Sequence, residues 1–406
     1  MLSIPEPVAR PAPPPLSGRA EALAAARALV PRLRARARQT EADRLVPAES
    51  IDEIADAGLF GVVTPRAFGG SELGFASLVE VTAEFASACG STGWVFGVLA
   101  GHSWLLNLFP VEAQREVFRN PRALTATVFR LRGTVERTRE SFRLRDGEGR
   151  FCSGVDHAHW IIVGCSVIGE DGISEPHFFL VPRSDFEVID DWFTAGMRGT
   201  GSRTIRCTEC HIPAHRAVSV AAASTGESPG ARFHGHAIYR MPFQSVAPFS
   251  LVGAPLGMAR AAVRTFADSL RASVKAMPPE QVNAQAATFA RLAEATAEID
   301  AAYALTIGGA VMLDSADGPE ALDDLTRARF ARDWAYAAQT ARYAVNRLFE
   351  AAGGSGVYDS SELQRIWRDI NAASQHFAFT WDLAMGNFGR VQIGLPPIPL
   401  TPRGNR

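Results

Sequence analysis

The hydropathy period changes twice along the chain, and this limits the fold more than any single motif. Residues 19–120 repeat their apolar positions at helical intervals. Near residue 122 the period drops from 3.6 to 2. TVERTRESFRLRD, GRFCSGV, HWIIVGCSVI, PHFFLVPR and RTIRCTECHI are short, β-branched or aromatic, and separated by Gly, Asp and Pro turns. From about residue 237 the helical period returns and runs to 390 through four long amphipathic segments. The order is therefore helices, a compact all-β segment, then a bundle. At 406 residues the chain is long enough for two or three domains.

Composition narrows the function classes. Hydrophobic residues make up 47% and charged residues 21%, and the net charge of −2 gives no reason to expect nucleic acid or an anionic membrane as partner. No apolar run is expected to reach membrane-spanning length. The start, MLSIPEPVARPAPPPLSG, lacks the build of a signal peptide and reads as a mobile Pro-rich tail over 1–18. Five cysteines argue against a disulfide framework and for the cytoplasm.

Two stretches draw attention to a site. In FASLVEVTAEFASACGSTGWVFGVLAGHSWLLNLF, Gly90, Gly93, Gly97 and Gly101 weaken a nearly continuous apolar helix. They are expected to let another group come close to the backbone, as a helix lining a ligand cavity would need. His102 lies on that helix, where an unpartnered buried imidazole is costly. In SSELQRIWRDINAASQHFAFTWDLAMG, a stripe of Ile366, Ile370, Ala373, Phe377 and Ala384 predicts one continuous helix with His376 at the border of its apolar face. The cluster CTECHIPAH is a poor zinc site, because residues three apart on a regular strand point to opposite faces, and no metal is expected. GMRGTGSR does not open a helix within a βαβ unit, so it is not a dinucleotide fingerprint.

The three-part order, with LFGVVTPRAFGGSELGF, FEAAGGSGVYDSSELQRIWRDI and GMRGTGSRTIRCTECHIPAHRAV, resembles the acyl-CoA dehydrogenase fold. The resemblance implies an α+β chain with an N-terminal helical domain (19–121), a central β-barrel domain (122–232) and a C-terminal four-helix bundle (233–406). The glutamate base of the dehydrogenases is missing. FQSVAPFSLVGAPLGMA contains no carboxylate, and a late Y-E-G-T motif does not occur. STGWVFGVLAGHSWLL, FCSGVDHAHWIIVG and AASQHFAFTWD are instead similar to the oxygenase components of two-component flavin-dependent hydroxylases of this fold.

That resemblance implies a reduced-flavin-dependent monooxygenase. It would take reduced FMN or FAD from a separate reductase, react with O2 through a flavin C4a-hydroperoxide, and hydroxylate an aromatic, phenolic substrate. S- or N-oxygenation by the same intermediate is the alternative, and acyl-CoA dehydrogenation a more distant one. His376, His102 and Ser153 would be catalytic, with Ser153 also bonding the flavin N5. Trp94, Arg271, Gly353, Gly354 and Ser355 would bind flavin, the last four serving a neighbouring subunit in a homotetramer. Trp104, Phe129 and Phe377 would line the substrate. The serines that members often carry in the strand matching LTATVF are replaced here, with Thr125 and Thr127 the nearest hydroxyls.

Overall fold

In a computed structural model, residues 12–168 and 174–398 are described. The N-terminal region is built from α1 (Arg19–Ala35), α2 (Ala37–Asp43), α3 (Ala48–Asp56), α4 (Phe75–Ala88), α5 (Gly90–Leu106) and α6 (Val111–Phe118). Of the expected mobile tail, residues 1–11 lie outside the described residues. Residues 12–18 are laid down instead. Leu16 is buried and its N–H donates to Ser71 Oγ at 2.8 Å, so burial of one leucine anchors the proline-rich approach to α1.

The strands are β1 (Thr125–Val128), β2 (Arg132–Arg137), β3 (Ser141–Cys152), β4 (Trp160–Ile168), β5 (Ser174–Pro182), β6 (Glu187–Ile189), β7 (Arg203–Pro213) and β8 (Ala217–Ser219). They form one mixed eight-stranded sheet in the order β6-β7-β3-β2-β4-β5-β8, with β1 parallel to β4. This corrects the expectation of a β-barrel. The path runs open between two three-residue strands, β6 and β8, and closure needs the two edges to pair. The sequence also placed a break at DGEG, yet β3 continues through it, with Asp146 at φ 51°. Cys207 and Cys210 on β7 are both buried, and the Cys210 thiol donates to the Asp185 carbonyl at 3.0 Å.

Three short helices, α7 (Val220–Thr225), α8 (Pro229–Phe233) and α9 (Phe243–Val246), lead into the bundle. The bundle comprises α10 (Phe249–Val274), the one-turn α11 (Pro279–Asn283), α12 (Ala286–Asp314), α13 (Asp324–Ala352), α14 (Glu362–Ala373) and α15 (Trp381–Gln392). The stretch Phe243–Val274 is long and apolar enough to cross a membrane, contrary to the sequence reading, but 78% of its apolar window is buried inside the molecule. The helix expected over the His376 region is broken. α14 ends at Ala373, a 3₁₀ turn covers Phe377–Phe379, and α15 then begins. Ser374 Oγ turns back onto the Ile370 carbonyl, and the His376 ring caps the new turn, so the chain leaves the helix where side chains offer local partners. One apolar core joins all three regions.

Candidate functional site

Helix α5 separates the bundle from the sheet, and its two faces are built differently. A Cβ at Gly93 would lie 2.4 Å from the Ala86 nitrogen, one at Gly97 2.0 Å from the Ser250 carbonyl oxygen, and one at Gly101 2.4 Å from Ser250 Cβ. The close approach expected at these glycines is that of α4 and α10. With that face filled by helix backbone, Trp94, Val95, Leu99 and His102 turn toward the β domain. Trp94 and His102 are eight residues apart, about 12 Å along the axis.

At the Trp94 end, a line of hydrogen bonds crosses between two loops. Trp94 Nε1–H donates to Ser153 Oγ at 3.2 Å, and Ser153 and Ser202 share a bond of 2.7 Å. Ser202 and Thr200 share another of 2.7 Å, and Thr200 Oγ1–H donates to the Met197 carbonyl at 2.8 Å. Ser153 sits in a tight turn, with Phe151 at φ 66° and Gly154 at φ 70°. A side chain on Gly154 would crowd Val95 and Leu99 as well as strain the backbone. Met197 is itself left-handed, at φ 55°, and its N–H donates to the buried Asp369 of α14 at 2.6 Å. Burial pushes the Asp369 carboxyl up to about 6.

His376 joins this end through Trp94, the two rings meeting edge to face at 5.5 Å. Its Nδ1 accepts the Ala378 N–H at 3.2 Å. Desolvation lowers the imidazole to about 4, so the ring is neutral near pH 7. With Nδ1 accepting, the proton of the neutral ring sits on Nε2, which becomes a donor.

His102 has the opposite polarity. Its Nδ1 lies 3.2 Å from the Thr125 carbonyl, an acceptor only, so Nδ1 carries the proton and Nε2 is a bare lone pair. Burial holds this ring at about 4 as well. Around it stand Phe129, edge-on at 6.0 Å, and the Phe178 and Phe243 rings behind Phe129. On β1, Thr127 Oγ1 is buried with no partner among the described residues. A void of about 60 Å³ lies beside Leu99, Ser103 and Thr125.

The remaining sequence candidates, Phe377 excepted, lie apart from this arrangement. Trp104 is a core residue, 1% exposed, with its indole N–H on the Ile238 carbonyl. Phe377 is exposed and flanks the His376 ring at 4.4 Å. Arg271 is exposed and pairs with Asp268 at 2.5 Å. Gly353 and Gly354 are exposed at the end of α13, and Ser355 Oγ donates to the Ala352 carbonyl. Among the described residues, Arg271, Gly353, Gly354 and Ser355 share no hydrogen bond or ring contact with Trp94, Ser153 or His376. Sequence reasoning missed Thr200, Ser202, Met197 and Asp369. Their signal was present in GMRGTGSR and in the RD of LQRIWRDI, but only folding brings those segments together.

These residues fit a reduced flavin with an aromatic substrate. Ser153 Oγ retains a lone pair after its two bonds, Thr127 Oγ1 is an orphaned buried hydroxyl, and the two Nε2 atoms have no partner among the described residues.

Comparison with known proteins agrees. Residues 20–123 match the acyl-CoA dehydrogenase N-terminal domain, and residues 250–381 its C-terminal domain. The chain is 34% identical to a pigment production hydroxylase of Rhodococcus sp., over 93% of this chain and 97% of that one. It is also 34% identical to the oxygenase component of an FADH(2)-dependent resorcinol hydroxylase of Rhizobium sp., over 90% and 92%. The crystal structure of the HsaA monooxygenase from M. tuberculosis superposes with a TM-score of 0.87 at 32% identity, covering 94% of this chain and 99% of that chain. The chain thus belongs to the oxygenase components of the flavin-dependent monooxygenases, built on the acyl-CoA dehydrogenase fold.

Proposed function

We propose that this oxygenase component hydroxylates a phenolic ring, with reduced flavin held against Trp94, Ser153 and His376 and the phenol against His102 and Phe129. Bound reduced flavin supplies the electrons and the oxygen activation. The chain's own residues supply the proton placement. His102 Nε2 accepts the phenolic proton, and the Thr125 carbonyl stabilises the imidazolium that results. A phenolate is the more nucleophilic ring. His376 Nε2–H donates toward the oxygen side of the site, and Trp94 with Phe129 excludes water. The observation that carries this reading is the opposite proton polarity of two neutral imidazoles, one on α5 and one packed against Trp94 of α5. A thioether has no acidic proton for His102 to take, which favours phenols over sulfur substrates.

The reading includes a separate reductase as partner and the cytoplasm as location, which five free cysteines support. It also includes a homotetramer formed through the bundle. Tyr343, Val357 and Tyr358, exposed by 50%, 60% and 67%, lie near the expected flavin-facing Gly353 and Gly354 and favour a covered face. The FADH(2) in the resorcinol hydroxylase's name makes FAD the first flavin to test, before FMN.

The test supplies reduced flavin from an exogenous reductase under labelled dioxygen, with a panel of phenols, thioethers and amines. One labelled atom in a catechol product is expected. Label entering only the thioethers or amines would overturn the substrate class, and sedimentation as a monomer would overturn the assembly.

A further inference from the structure

The line of hydroxyls behind Ser153 has a direction set at its far end, where Thr200 donates to the Met197 carbonyl. At one end stands the Trp94 indole, which only donates; at the other the Met197 carbonyl, which only accepts. Each hydroxyl between them owns one proton. Thr200 spends its proton on Met197, so at the 2.7 Å contact Ser202 must donate to Thr200. Ser202 then has none left for Ser153, so Ser153 donates to Ser202. Ser153 therefore accepts from Trp94, gives its proton away from the site, and keeps a lone pair. Reversing the line would leave Ser153 accepting from both Trp94 and Ser202 and would cost the Thr200 bond to the Met197 carbonyl, so Thr200 is what holds the direction.

The acceptor end is held firmly. The Met197 carbonyl also receives Trp192 Nε1–H at 3.0 Å, and Asp369 holds the N–H of the same residue. Gly196 lies flush on α14, where a Cβ would come within 2.2 Å of the Arg368 carbonyl oxygen. Ser202 and Thr200 are 6% and 2% exposed, so solvent cannot reorder them freely.

We infer that Ser202 and Thr200, which do not touch flavin, lock Ser153 as a hydrogen-bond acceptor and so make the site select reduced over oxidised flavin. This rests on the placement of flavin N5 at Ser153 in the function proposed above. Reduced isoalloxazine carries a proton on N5 and donates to the lone pair. Oxidised N5 is itself an acceptor and meets a second lone pair. The site would thus take flavin from a reductase in the reduced state and release it once oxidised, without moving a residue.

The experiment measures Kd for oxidised and for anaerobically reduced FMN and FAD by equilibrium titration, with no substrate present. In Thr200→Val, Ser202 loses its acceptor, the Ser153–Ser202 pair can reverse, and Ser153 is free to donate. The ratio of oxidised to reduced Kd should fall about tenfold. Ser202→Ala should lower it in the same direction, and Thr200→Ser should restore the wild-type ratio. An unchanged ratio in folded Thr200→Val overturns the inference. Should the variants not fold, reduced 5-deaza-FMN tests the wild-type protein directly, since it carries CH₂ in place of N5–H. It should bind about tenfold more weakly than reduced FMN, and equal binding overturns the inference. If neither redox state of either flavin binds wild type, the flavin site itself is overturned, which is a different result from binding without redox preference.

Discussion

One imidazole of the site stands on a helix and the other stands in a break. His102 is held on α5, a helix whose glycine face is locked against α4 and α10. His376 is held by the turn it caps between α14 and α15. Desolvation brings both rings to the same charge state, with both lowered to about 4. Only the backbone partner differs: a carbonyl for His102, an N–H for His376. The difference teaches that proton placement is set by the group behind the ring, independently of burial. A base and a donor are obtained from the same residue type in the same protonation state.

The largest expected effect breaks the comparison on the helix side. His102→Ala removes the proposed base, and hydroxylation of a phenol should fall by about 10²- to 10⁴-fold. Reduced flavin should still be consumed, with its oxygen released as hydrogen peroxide. The measurement is product formed per flavin oxidised. A loss in flavin consumption as large as the loss in product would mean that His102 supports the flavin side, and the assigned polarity would have no role.

A smaller effect appears in stability against pH. Each ring is held neutral in the folded state, below the ordinary histidine value of 6.5. The unfolded chain therefore binds a proton first as pH falls. The stabilisation is fully present above pH 6.5 and is lost as pH falls toward 4, by about 3 kcal/mol for the well-buried His102. His376 should contribute less, because solvent reaches its ring. Asp314 and Asp369, pushed up to about 6 by burial, act in the opposite direction over a similar range. The informative quantity is thus the difference between wild type and His102→Gln in urea unfolding at pH 7, 5.5 and 4.5. The variant should lose less stability on acidification. Parallel curves would show that the His102 ring is hydrated or protonated in the folded state.

The comparison also explains what could be read from the chain. The period change located the helical, β and bundle regions, because alternation and helical stripes record burial directly. The early Gly-Gly turn was legible for a local reason: Gly69 has φ 80°, and a Cβ on Gly70 would sit 2.1 Å from the Thr64 carbonyl oxygen. The glycines of α5 were legible as close approach but not as helix packing, because a small residue does not say what approaches. His102 and His376 were singled out by type and resemblance. Their polarity was hidden, since it depends on Thr125 from β1 and on a helix break that the apolar stripe disguised. The stripe placed Phe377 inside, whereas it is 53% exposed and Phe379 is 5% exposed. Thr200, Ser202 and Asp369 acquire meaning only when the loop before β7 meets α14, a contact between segments more than 160 residues apart in sequence.

The smallest expected effect separates the two roles that His376 combines. Its Nδ1 caps a backbone N–H, and its Nε2–H is the donor in the function proposed above. Asparagine is a good cap but offers no imidazole there. His376→Asn should therefore melt within about 0.5 kcal/mol of wild type, while His376→Ala loses the cap and about 1 kcal/mol. Both variants should release more peroxide per reduced flavin than wild type, and to a similar extent, because both lack the Nε2 donor. If coupling instead follows stability, intact in asparagine and lost in alanine, then His376 acts only by shaping the turn. The donor half of the comparison would then fall, while the base at His102 would be untouched.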